Sequence, residues 1–157
     1  MKLIFTQKGA EIVEFALMLP FLLVMLFGIM EFGIVLYDQA VITNASREAA
    51  RSGIAYKCPA VTESFIKGVV TTYTTTGTDV NATSLLVSFP TGTTPVVIVS
   101  PSPPTTTTNC YANSGTALTV NVSYQYNFLA LGKLMSLLNL GFTNPINLSA
   151  TTVMNYE

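Results

Sequence analysis

Two acids stand where an apolar helix is about to begin. Glu11 and Glu14 lie between Lys2 and Lys8 on one side and, on the other, sixteen residues (15–30) without a charge. A carboxylate at the head of such a helix is favoured by the positive end of the helix dipole, by roughly a few tenths of a kcal/mol when exposed. Near lipid it needs a cationic partner to offset its desolvation. The other residues with chemical potential are Cys58 and Cys110, the only two cysteines. Paired in an oxidising compartment they would close a loop of about 53 residues, contributing about 4 kcal/mol through loop entropy. As a nucleophile, either would need a base to form the thiolate, and the chain has no histidine. The same absence leaves no tetrahedral zinc set. After residue 53 the only acids are Glu63, Asp79 and Glu157, with no recognisable pairing. The residues therefore predict no enzyme, no catalytic set, no metal and no cofactor.

These groups need elements to position them, and composition shows where those are. The chain has 157 residues, a net charge of -1, a mean hydropathy of +0.52 and 10% charged residues. An ordinary soluble domain carries roughly 25%. No basic footprint exists for nucleic acid, so that partner is excluded. The apolar excess is local. From 15 to 37, 19 of 23 residues are apolar, with Glu31 the one charge. At 1.5 Å per residue these reach roughly 34 Å, enough for a hydrocarbon core of about 30 Å. The remainder has ordinary globular composition, so the chain reads as a membrane anchor plus a head.

A secretory signal peptide also places lysines before an apolar run, but this run is too long, lacks a small-residue cleavage site, and is preceded by acids. Lys2 and Lys8 before the run are matched by Arg47 and Arg51 beyond it, so charge asymmetry does little to orient the anchor. The head chemistry does more: 22 threonines in the chain, only Lys133 and Glu157 charged after Asp79, and two cysteines able to pair suit the outside of the cytoplasm.

In order, the N-terminal features are Lys8-Gly9-Ala10-Glu11, Val13-Glu14-Phe15-Ala16, Leu19-Pro20, Glu31-Phe32-Gly33 and Asn44-Ala45-Ser46-Arg47-Glu48-Ala49-Ala50-Arg51. This order resembles a type IV pilin-class leader junction and, more narrowly, the TadE-like pseudopilins, minor pilins of tight-adherence (Flp) pilus systems. The resemblance covers about 45 residues; the rest matches only in layout. It implies a leader ending at Gly9, cleavage by a membrane-embedded prepilin peptidase before Ala10, and Glu14 as the fifth mature residue followed by aromatic Phe15. It implies that Glu14 meets the new α-amine of a neighbouring subunit. The pattern departs from the commonest form in carrying Glu11 at the second mature position and phenylalanine rather than tyrosine after Glu14.

Helical spacing continues through Asp38, Val41, Ala45, Glu48, Ala49 and Ser52, with Gly53 as a stop signal and Pro20 as a kink. Glu31 and Asp38, seven apart, share one face, which marks the outer headgroup level or, as the alternative, faces partner subunits. Beyond Gly53, Phe65, Ile66, Val69, Val70 and Tyr73 predict a short helix that Thr62 caps. Residues 84–89 and 96–100 read as strands, and 100–109 as a Pro/Thr-rich exposed loop. Strict alternation over 117–128 and a looser one over 146–156 predict an antiparallel pair, with a leucine-rich core helix, capping loop or subunit-facing surface at 129–140 between them.

The expected fold is α+β: a leader (1–9), a long N-terminal helix (10–53, transmembrane at 15–37) and a small antiparallel-sheet head outside the cytoplasm (54–157), a pilin-like layout. The expected role is structural. It is a pseudopilin or minor pilin in the bacterial inner membrane that supports an adhesive pilus, with prepilin peptidase, other pilin subunits and lipid as partners. A single-pass anchored binding module is the alternative.

Overall fold

The computed structural model describes residues 7–55, 61–76, 83–87, 94–103, 115–133 and 145–156. It is α+β. Helix α1 (Gln7–Ile54) runs 48 residues without a break, Pro20 included. Helix α2 (Glu63–Thr74) follows, then the two-residue strands β1 (Thr75–Thr76) and β2 (Thr83–Ser84), which pair with each other. Strands β3 (Val96–Ser100), β4 (Ala117–Tyr126) and β5 (Ile146–Asn155) form an antiparallel sheet in the order β3-β4-β5.

The alternation in β4 sets the core. Leu118, Val120, Val122, Tyr124 and Tyr126 are buried on one face, while their neighbours point to the other. Register brings Val99 beside Val120 on one flank, and Ala150 and Leu148 beside Val122 and Tyr124 on the other. A fully buried aliphatic side chain contributes about 1.5 to 3 kcal/mol, so this face must find a cover. The second half of α1 supplies it with a stripe at helical spacing: Glu31, Asp38, Ile42, Ala45, Ser46, Ala49, Ala50 and Gly53.

Small residues in that stripe let helix and sheet approach closely. A Cβ on Gly53 would stand 2.5 Å from Leu118 Cδ2 and 2.9 Å from Ile66 Cδ1. Gly53 is therefore a packing residue inside the helix, which ends at Ile54, more than a stop signal. Polar ties fix the lateral position: Gln39 Nε2 donates to the Ser149 carbonyl at 3.0 Å, and the Ser46 and Thr152 hydroxyls are 2.8 Å apart.

In α2, Thr62 is the N-cap, its hydroxyl accepting from the Phe65 N–H at 3.3 Å. Ile66, Val70 and Thr74 are buried, whereas Phe65 and Tyr73 lie largely exposed. Glu63 pairs with Lys67 at 2.7 Å and accepts the Ser102 hydroxyl, tying the end of β3 to this helix. Of the strand expected at 84–89, the described residues show strand only at Thr83–Ser84, with the Leu85 N–H donating to the Thr74 carbonyl at 2.7 Å; residues 88–89 lie outside the described residues. Most of the Pro/Thr-rich loop and of the leucine-rich segment lies outside the described residues.

Candidate assembly site

From Gly9 to Met30 no residue of α1 is fully buried; Val24, Phe27 and Gly28 are half-buried and the rest are exposed, Phe21 for example at 72%. These 22 residues reach roughly 33 Å. The helix is long and apolar enough to cross a membrane. Gly9, Ala10, Glu14 and Phe15 all sit on its first turns, exposed, with open space around Gly9. Because the helix begins at Gln7, Glu14 lies two turns inside it and not at its dipole end. The structure thus leaves all four residues accessible, spread around the helix, and buries none of them. Cys58 and Cys110 both lie outside the described residues.

Where the head begins, two acids are buried that the sequence alone reads as marking the outer headgroup level. Glu31 is 2% exposed and Asp38 0%. Neither has a cation within ion-pair distance among the described residues, whose one salt bridge is Glu63 with Lys67. Backbone donors take that part. The N–H groups of Ala130 and Leu131 both donate to Glu31 Oε1, at 2.5 and 3.1 Å, where the chain leaves β4 and enters the helical residues 131–133. The N–H of Val87 donates to Asp38 Oδ1 at 3.0 Å. The second oxygen of each carboxylate has no hydrogen-bond partner among the described residues.

Tyr126, wholly buried at the end of β4, lies in the field of both acids. Burial, then the charges of Glu31, Asp38 and Tyr124, push its hydroxyl up to about 12. Its ring meets Phe128 edge-on, centroids 5.2 Å apart. Asp38, one residue beyond the apolar run, is pushed up to about 6, because burial outweighs the Val87 hydrogen bond. This seam clamps the head onto the helix through the chain just after β2, at Val87, and just after β4, at Ala130 and Leu131. The signal for it in the sequence is the seven-residue spacing of two acids in an otherwise uncharged stretch.

Among the described residues no three His, Cys, Asp or Glu side chains come together as a metal set. What the arrangement offers is an apolar helix for packing in lipid or against like helices, and a head held at a fixed height along it.

Neither the curated proteins nor the solved structures gave a match to the chain. Over residues 9–51, the bare helix and its continuation beneath the head, the chain matches the model of the TadE-like protein family, a structural, pilus-associated family.

Proposed function

We propose that this protein is a TadE-like pseudopilin or minor pilin, held in the bacterial inner membrane by α1 with its head outside the cytoplasm, and processed by a prepilin peptidase between Gly9 and Ala10. The observation that carries the reading is the position of the glycine-to-glutamate junction. Gly9, Ala10 and Glu14 stand at the head of a bare apolar helix within the stretch that matches the family. Cleavage there would create an α-amine four residues from Glu14, on a helix whose outer surface is free for neighbouring subunits. A carboxylate and an amine from adjacent copies compensate each other in a medium that solvates neither. The protein's chemistry is then assembly: the peptidase supplies the catalysis, and the subunit supplies an anchor, an ion pair and a head. Cys58 and Cys110, paired in the oxidising compartment that receives the head, belong to the same reading.

The test is the intact mass and N-terminal sequence of the protein purified from the membrane and from sheared filaments of its native host. A chain beginning at Ala10 is expected. Recovery of full-length chain alone would overturn the reading.

A further inference from the structure

Coming from the N-terminus, Glu31 is the first fully buried residue of α1, and the segment that donates to it is 129–133. The two backbone N–H groups on Glu31 Oε1 hold this corner of the head at the level where the bare helix ends. Leu129, beside the tie, is 41% exposed, and Lys133 is exposed. The segment Leu129-Ala130-Leu131-Gly132-Lys133 contains no acid.

We propose that this corner is a second membrane contact, seated at the headgroup and acyl boundary of the leaflet that α1 leaves. The proposal rests on the reading of α1 as a membrane anchor. The depth argument is direct. Residues 15–37 span roughly 34 Å against a hydrocarbon core of about 30 Å, which puts Glu31 and the backbone tied to it within about 9 Å of the outer end of the span. On the exposed side of the helix, Phe32, Leu36 and Tyr37 continue the apolar surface for about 9 Å more, so the corner sits level with apolar helix and not above it. Interfacial elements dip about 5 to 10 Å into this zone, leucine inward, with lysine stretching its stem back to the headgroups.

The geometry also accounts for an acid at such a depth. A carboxylate beside lipid is costly unless compensated, and here the turn donates to Glu31, which is buried. A neighbouring subunit is the other occupant this surface admits. Lipid is favoured because the corner is tied to α1 at the level where Ile29, Met30 and Phe32 are exposed, and the one charge on 129–133 is positive, matching anionic headgroups.

The chain has no tryptophan, so a single introduced one reports alone. The experiment reconstitutes the full-length protein in vesicles of phosphatidylcholine and phosphatidylglycerol, with and without lipid brominated on its upper acyl carbons. Three variants are compared: Leu129→Trp at the corner, Phe21→Trp in the anchor and Val153→Trp on the exposed sheet face. Emission of Leu129→Trp should be blue-shifted and lost to brominated lipid, as for Phe21→Trp, whereas Val153→Trp should be neither. Lys133→Glu added to Leu129→Trp should weaken the quenching in anionic vesicles. Lys133→Trp serves as a second reporter if Leu129→Trp alters the far-ultraviolet circular dichroism.

Water-like, unquenched emission from the corner with Phe21→Trp quenched would overturn the proposal and leave the anchor standing. A blue shift insensitive to brominated lipid and lost on diluting protein in lipid would also overturn it, assigning the corner to a neighbouring subunit. An unquenched Phe21→Trp would remove the anchor reading and the proposal with it.

Discussion

Val87 donates its backbone N–H to Asp38 Oδ1 at 3.0 Å across 49 residues of chain, and that bond takes the place of an ion pair. The acid is fully buried, its other oxygen has no partner among the described residues, and Tyr126 and Glu31 are the titratable groups of the same seam. Burial disfavours the ion more than one N–H favours it, so Asp38 is pushed from 3.8 up to about 6.

A carboxyl whose pKa is higher folded than unfolded stabilises the fold in its neutral form. Its contribution is full below 3.8 and is lost as pH rises through about 6, at most about 3 kcal/mol. Thermal unfolding of the detergent-solubilised protein should therefore show a wild-type melting temperature that falls between about pH 4 and pH 7, and Asp38→Asn should flatten that slope. Asn keeps the acceptor for Val87 and removes the buried charge, so at about pH 8 it should be the more stable protein by about 1 to 3 kcal/mol. Parallel profiles for the two proteins would show that Asp38 titrates normally.

Glu31 answers to a different loop. Glu31→Ala leaves the N–H groups of Ala130 and Leu131 without their acceptor in a covered site, costing about 2 to 4 kcal/mol. Glu31→Gln keeps an acceptor and should cost less. Amide hydrogen exchange of Ala130 and Leu131 is the sensitive measurement: both should speed up strongly in Glu31→Ala, and unchanged protection would mean that other contacts hold the turn.

What the sequence discloses depends on how local the cause is. The period of two in β4 and the long apolar run of α1 are properties of consecutive residues, and both are legible in the order of the amino acids. The seam is not local. Glu31 and Asp38 show their shared face through a spacing of seven, but whether they meet water depends on donors 99 and 49 residues away. The expected strand at 84–89 is shorter over its described part for the same reason, since the N–H of Val87 goes to Asp38. Gly53 gives a third case: glycine signals a helix end and a close approach alike, and only the position of Leu118 decides between them.

That close approach is testable by comparing three glycines of one helix. Alanine at Gly28 or Gly33 meets nothing within 4 Å and gains about 1 kcal/mol of helix propensity. At Gly53 the same gain is opposed by overpacking against Leu118 and Ile66, both fully buried, at about 1 to 3 kcal/mol. Gly53→Ala should therefore lower the melting temperature while Gly28→Ala and Gly33→Ala leave it level or raise it. A Gly53→Ala protein as stable as the other two would mean that the helix-sheet contact yields easily.

The bare helix separates folding from assembly, and Glu14 is where that separation can be measured. It is exposed on α1, and the first fully buried residue of that helix is Glu31, 17 residues later, so Glu14→Gln should leave the unfolding of the head unchanged. Within an assembly the change removes the proposed partner of a neighbour's α-amine. Losing one member of a poorly solvated ion pair costs about 3 to 5 kcal/mol, enough to cut subunit association by a factor of a hundred or more. Processing between Gly9 and Ala10 should survive, since the scissile junction is untouched. Expression of Glu14→Gln beside the wild type, with cleavage followed by mass and assembly by shearing and cross-linking, should give a processed, membrane-inserted, folded subunit that fails to assemble. Normal assembly of the variant would leave Glu14 as a helix residue with no part in joining subunits, and would move the search for the contact to Phe15 and the apolar strip beyond it.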